Sequence, residues 1–265
     1  MTNKIVISAE NIRKEYVTKK HLITGKIKEK YVAVKNASFD IEEGKTVGIV
    51  GESGSGKSTI GEIVGGLQEP TFGNVFYYGK NIKEMSENEY RDYRKSVQFI
   101  FQDPKGSMDP NYIISDILSM PLITTNIAKN KNEAKKIIDE MLLRVGLELS
   151  VKNKYPAEIS GGQCQRAAIA RALIVNPKLI ICDEPVSALD VSIQAQILNL
   201  LRELQREMNI SYIFISHDIG VVNYMSDTIL VMSNGTIVES GDAKNVLLNP
   251  KEKYTKRLID SAFVH

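Results

Sequence analysis

The chain has 265 residues, 43% hydrophobic and 25% charged, which is ordinary globular composition with enough apolar material for a large α/β core. Lys and Arg total 34 against 32 Asp and Glu, a formal charge of +2, so charge gives no reason to expect wholesale nucleic-acid binding, although local basic patches stay open. No apolar run reaches the roughly 18 to 20 residues that span a bilayer, and residues 1–8 lack a signal-peptide core, so the expectation is a soluble chain that meets a membrane only through a partner.

Residues 5–9 and 32–40 alternate apolar and polar side chains as strands do. They enclose a lysine-rich connection with Lys19, Lys20, Lys26, Lys28 and Lys30, read as a solvated loop, with proximity to lipid headgroups as the alternative. Tyr16 lies just before it and has two readings, packing or stacking on an adenine ring. The apolar run 47–50 then leads into Gly51-Glu52-Ser53-Gly54-Ser55-Gly56-Lys57-Ser58-Thr59 and the apolar stretch 60–64. This is a G-x-x-x-x-G-K-S turn between a buried strand and a helix. Its glycines let backbone amides close around phosphate oxygens while the helix aims its positive end at the same anion. Lys57 can bridge β- and γ-phosphates, Ser58 offers a hydroxyl to Mg²⁺, and Thr59 is a second phosphate contact. The bland alternative is a flexible glycine turn that happens to contain a lysine.

A helix over 60–67 is followed by a strand over 73–78. Ser86-Glu87-Asn88-Glu89 has capping-box spacing and opens a polar helix to about Lys95, ahead of a strand over 97–101 that runs into Gln102-Asp103-Pro104. From 113 to 175 the pattern turns helical, with Ala134, Ile137, Ile138, Met141, Leu142 and Val145 on one face of 130–145. The block closes with Ile159-Ser160-Gly161-Gly162-Gln163 and a helix over 163–174. An apolar strand over 179–182 ends at Asp183-Glu184. Further expected elements are helices over 191–208 and 218–225, strands over 212–216, 228–232 and 236–239, and helices over 243–248 and 253–262. Cys164 and Cys182 lack metal-ligand spacing and read as reduced structural residues.

Hydrolysis of a nucleoside triphosphate needs phosphate neutralisation, a held metal, and a group that positions or activates water. Asp183 can hold Mg²⁺ through water and Glu184 can act as general base, or the pair can cap the next helix. His217 follows another strand, where a structural role and a γ-phosphate contact are both open.

The phosphate loop, Gln102, Ser160-Gly161-Gly162-Gln163, Asp183-Glu184, Ser187-Ala188-Leu189-Asp190 and His217 stand in the order and spacing of the ATP-binding cassette ATPases, and the chain resembles that family over essentially its whole length. The resemblance implies a phosphate-loop NTPase core with a mainly parallel sheet, an N-terminal antiparallel β subdomain and a helical subdomain inserted at about 101–175, together one domain. It implies ATP and Mg²⁺ as ligands, and a dimer in which Ser160, Gly161, Gly162 and Gln163 of one cassette face the nucleotide of the other. It makes Gln102 a metal sensor, Asp190 a dimer-interface residue, His217 the γ-phosphate switch and Tyr16 the adenine platform. Phe101-Gln102-Asp103-Pro104, the run 185–201 and Tyr254-Thr255-Lys256-Arg257-Leu258 are similar to the ATPase subunits of oligopeptide, dipeptide and nickel importers. Ile159, Cys164 and Glu252-Lys253 depart from that pattern, Cys164 by removing a cation beside the signature helix.

The expected partners are two transmembrane permease subunits, a second cassette ATPase (a heterodimer is favoured over two copies of this chain) and an extracytoplasmic solute-binding protein, at the cytoplasmic face of the cell membrane. No nucleic acid and no iron–sulfur cluster are expected. The rival readings are a cassette acting on nucleic acid or translation, and a regulatory subunit that binds ATP with little hydrolysis.

Overall fold

The structure, a computed structural model, describes residues 4–20 and 27–263. In chain order its elements are β1 (Ile5–Lys20), β2 (Ile27–Glu42), β3 (Thr46–Val50), α1 (Lys57–Val64), β4 (Phe72–Tyr77), β5 (Lys80–Asn81), α2 (Glu87–Ser96), β6 (Val97–Ile100), α3 (Ile114–Thr124), α4 (Lys131–Arg144) and α5 (Gly161–Leu173). There follow β7 (Leu179–Asp183), α6 (Val191–Met208), β8 (Ser211–Ser216), α7 (Ile219–Met225), β9 (Thr228–Ser233), β10 (Thr236–Asp242), α8 (Ala243–Leu248) and α9 (Lys253–Phe263). The chain forms two compact units, one spanning Arg91–Ile210 and the other joining the stretch before it to the stretch after it.

In the first unit the strands run β5-β4-β1-β2-β10-β9-β3-β8. β3 lies parallel to both β8 and β9, and every residue of β3 and β8 is buried. Strands covered on both faces gain from apolar side chains at every position, which is why 47–50 and 212–215 carry no polar alternation. β1, β2, β4 and β5 pair antiparallel. The α/β core with a parallel centre and an antiparallel N-terminal sheet is thus the architecture expected from the sequence.

The lysine-rich connection requires a correction. β1 continues to Lys20 and β2 begins at Ile27, so Lys19, Lys20, Lys28 and Lys30 are strand residues rather than loop residues, while Lys26 lies outside the described residues. The backbone ladder continues as far as Lys20 opposite Ile27, and one cross-strand charge pair, Glu15 with Lys30, supports it where apolar alternation is missing. Glu15 accepts from Lys30 at 2.8 Å and from Arg13 at 2.8 Å, and these cations, Lys30 first, hold its carboxyl below the usual range.

In the second unit β6 lies parallel to β7, again through buried apolar positions. Ala134, Ile138, Met141, Leu142 and Val145 bury the predicted face of α4, with Ile137 half-buried. Asn130 caps that helix through its Oδ1, which accepts from the Glu133 amide at 3.0 Å. Alanines 167, 168, 170 and 172 of α5 are likewise buried.

Candidate functional site

The 51–59 turn, Tyr16 and His217 lie in the first unit; Gln102, 160–163, Asp183, Glu184 and Asp190 lie in the second. The turn leaves buried β3 and enters α1 through Gly56, whose φ of 104° and whose Cβ position, 2.4 Å from the Ala33 carbonyl oxygen, admit only glycine. Gly54, at φ 77°, faces open space. Lys57 is only 5% exposed, and its ammonium donates to Gly51 O at 2.8 Å and Glu52 O at 2.9 Å. The Ser55 hydroxyl is buried and has no hydrogen-bond partner among the described residues. Ser53 and Ser58 are exposed and Thr59 is half-buried at the start of α1. Amides at a helix N-terminus, a buried ammonium that donates to two neutral carbonyls, and several hydroxyls form a donor set suited to an anion.

Tyr16 is 37% exposed on β1. Its hydroxyl donates to Gln68 Oε1 at 2.9 Å, and Gln68 Nε2 donates in turn to Glu62 on α1. The ring is thereby tied to the helix that follows the phosphate turn, with the Lys14 ammonium 5.3 Å from its centroid. Two contacts to the turn went unnoticed in the sequence. Tyr31, opposite Tyr16 on β2, donates its hydroxyl to Gly54 O at 3.3 Å, and the Glu52 amide donates to Tyr254 Oη at 3.1 Å. No short-range pattern marks either residue, because both reach the turn from distant sequence. His217 is exposed just past β8, beside Asp218, which caps α7 through bonds from the Gly220 and Val221 amides.

In the second unit Gln102 and Glu184 are brought together, Gln102 Nε2 donating to Glu184 Oε2 at 3.2 Å. Asp183 ends β7, and Glu184 follows in the left-handed region with φ 46°, immediately before Pro185. A non-glycine residue held there costs about 1–3 kcal/mol, and such strain gathers at working sites. The Ser187 amide and hydroxyl stabilise the bend by donating to Glu184 O at 3.3 and 3.1 Å. Asp190 caps α6: its carboxylate accepts from the Ser192 hydroxyl at 2.6 Å and the Ile193 amide at 3.0 Å, and these, the hydroxyl first, keep it below the usual range.

Residues 160–163 form a capping box, with the S-x-x-Q spacing of that motif. Ser160 Oγ accepts from the Gln163 amide at 3.2 Å and Gln163 Oε1 accepts from the Ser160 amide at 3.1 Å. Ser160 and Gly161 are exposed at this helix start and Gly162 is half-buried. Ser160→Ala is expected to lower stability by about 1 kcal/mol in chemical denaturation, with Ser160→Thr nearer the unaltered chain. Cys164 and Cys182 are free and fully buried, and desolvation raises both thiols. Cys164 therefore packs in the unit's interior, consistent with the structural role read from sequence.

A glycine-rich turn of anion-suited donors in an α/β core, with paired carboxylates closing an apolar strand and a serine-capped helix, is the arrangement of a nucleoside-triphosphatase cassette. The profile of the ABC transporter family matches residues 34–187, and the chain belongs to that family. It is 48% identical to the Oligopeptide transport ATP-binding protein OppF of Haemophilus influenzae over 229 residues, covering 86% of this chain and 69% of that one. It is 46% identical to the OppF of Lactococcus lactis subsp. lactis over 237 residues, 89% and 74% of the two chains. Among solved structures, the cassette MJ0796, dimeric and bound to ADP and Pi in a post-hydrolysis state, superposes with a TM-score of 0.78 at 32% identity, covering 89% of this chain and 98% of that one. CbiO1 of Clostridium perfringens, part of the ABC transporter complex cbiONQ, superposes at 0.76 with 27% identity, covering 98% and 96%.

The chain is accordingly an ATPase that uses ATP with Mg²⁺. Cassettes of this kind dimerise and work with membrane permeases. Among the described residues no helix is long and apolar enough to cross a membrane. Among the same residues no cluster of three or more His, Cys, Asp or Glu could hold a metal. The exposed Ser58 hydroxyl at the start of α1 is an oxygen donor of the kind Mg²⁺ takes, one or two from protein with phosphates and water completing its shell.

Proposed function

We propose that this chain is an ATP-hydrolysing subunit of an oligopeptide importer at the cytoplasmic face of the cell membrane, paired with a second, related cassette and driving two permease subunits fed by an extracytoplasmic binding protein. The observation that carries the peptide reading is the 46–49% identity to chains named for oligopeptide transport, over 86–89% of this one. Nickel or chelated-metal import stands behind it as the cargo of a related group.

In this reading the amides of 53–59 and the Lys57 ammonium bind the β- and γ-phosphates, and Tyr16 presents its ring to the adenine. Ser58 would hold Mg²⁺, with Gln102 and, through water, Asp183 as its other protein partners. When bound, the ion would neutralise phosphate charge and polarise the γ-phosphoryl group. Glu184 takes the proton from the attacking water, and His217 contacts the γ-phosphate. Ser160, Gly161, Gly162 and Gln163 meet the nucleotide of the partner cassette with the positive end of α5, and Asp190 lines that interface. The Gln102–Glu184 bond fixes the direction of the carboxylate proposed as base. ATP closes the cassette pair and hydrolysis with release reopens it.

The test is assembly and coupling. From membranes extracted in mild detergent, a tagged chain should co-purify with multi-spanning permease subunits and a second cassette. In proteoliposomes carrying that complex, binding protein loaded with oligopeptide should stimulate ATP turnover, and nickel should not. Recovery of ribosomes or DNA-bound proteins without a permease would overturn the importer reading.

A further inference from the structure

The phosphate-binding turn is tethered by the last helix of the chain. The peptide unit joining Gly51 to Glu52 is engaged at both ends: its carbonyl oxygen accepts from Lys57 Nζ at 2.8 Å, and its N–H donates to Tyr254 Oη at 3.1 Å. Rotation of that peptide would break both bonds. Tyr254 lies in the first turn of α9 and is half-buried, and the adjacent Thr255 is wholly buried.

The start of α9 is held independently. Glu239 on β10 accepts from the Lys251 amide at 2.8 Å through one carboxylate oxygen and from the Glu252 amide at 3.1 Å through the other. Two amides on one carboxylate fix the direction in which α9 leaves the sheet, and thereby where the Tyr254 ring points. Burial raises the Glu239 carboxyl, but these donors outweigh it and keep it below its ordinary value, so the anchor is charged at neutral pH.

We infer that Tyr254 is a positioning residue for nucleotide binding: through its hydroxyl, α9 fixes the Gly51–Glu52 peptide that holds the Lys57 ammonium, and so sets the affinity of the turn for phosphate. The inference rests on the reading of 51–59 as the phosphate-binding turn. Two effects of losing the hydroxyl oppose each other. A looser peptide releases the ammonium more readily, which favours phosphate. A looser turn must also be ordered when nucleotide binds, and ordering one residue costs more than a neutral hydrogen bond returns. Preorganisation wins, and binding weakens by roughly threefold to tenfold, the worth of one such bond.

The experiment uses the full chain and its Tyr254→Phe variant, which keeps the ring and removes only the hydroxyl. Titration with fluorescent ADP and ATP should show the loss for both nucleotides. In turnover assays it should fall on KM, with kcat changing less than twofold. Amide hydrogen exchange should quicken at Glu52 in the nucleotide-free variant while the β3 and β8 amides keep their protection, which a general loss of stability would not produce. Glu239→Ala, which releases the start of α9, should weaken nucleotide binding similarly, and the double variant should be no worse than Tyr254→Phe, because both act through one bond. Unchanged KM and unchanged Glu52 exchange in Tyr254→Phe, or additive losses in the double variant, would overturn the inference. Failure of the unaltered chain to bind nucleotide would overturn the phosphate-turn reading and the inference with it, an outcome distinct from the others.

Discussion

Glu184→Gln is expected to cut ATP turnover at least a hundredfold while leaving nucleotide binding within about twofold. Positioned general bases contribute about 10²–10⁴ in rate, and a carboxamide has the shape of the carboxylate without its basicity. The substitution is structurally mild for two reasons. The Gln102 Nε2 donor, 3.2 Å from Glu184 Oε2, finds an amide oxygen in the same place. The left-handed backbone at 184 is no harder for glutamine than for glutamate, and the Ser187 bonds that stabilise it reach the main-chain carbonyl. A melting temperature close to that of the unaltered chain would show that the fold survives. Phosphate release under steady state, read beside fluorescent-ATP binding, separates the base role from a binding role. Full hydrolysis in the variant would remove Glu184 as base, and loss of binding with loss of turnover would assign it to holding the ion or the phosphates.

Much of this architecture follows from local rules. The continuous apolar runs of β3, β7 and β8, the one-sided periodicity of α4 and the Ser86–Glu89 capping box are short-range signals, and each element stands within a few residues of where those signals put it. The hairpin of β1 and β2 escaped because its extension rests on cross-strand pairing, the backbone ladder and the one ion pair of Glu15 with Lys30. The partners Glu15 and Lys30 are far apart in sequence, and neither strand alternates apolar and polar residues through this part. The motif residues could be named from their order, but their local work could not be seen there. Asp190 and Ser160 each cap a helix, and Glu184 sits in a strained turn, so each position is constrained by backbone geometry as well as by the chemistry proposed for it. Tyr31 and Tyr254 were invisible as site residues for a simpler reason. A contact between residues 52 and 254 is a product of topology, and no window along the sequence contains both.

Lys57→Ala is expected to weaken nucleotide binding by a hundredfold or more, and to do so with little change in the stability of the nucleotide-free protein. In the free turn the ammonium is 5% exposed and satisfied by two backbone carbonyls, so its burial carries a desolvation cost that only partial compensation offsets. Alanine removes that cost while leaving Gly51 O and Glu52 O without their donor, a penalty of about 1–3 kcal/mol if no water replaces it. The two terms oppose each other, and Glu52 is exposed enough for water to reach it. In the nucleotide-bound state nothing compensates: the only cation within the turn is gone from beside a polyphosphate. Ligand-induced stabilisation turns that difference into a sharp reading. At a MgATP concentration a hundred times the dissociation constant of the unaltered chain, binding adds about 2.7 kcal/mol to its stability. A variant binding a hundredfold more weakly gains only about 0.4 kcal/mol at the same concentration, so the thermal shift on adding MgATP should nearly vanish. A full shift in Lys57→Ala would mean that the amides and hydroxyls of the turn suffice for phosphate, and that Lys57 serves the nucleotide-free structure instead.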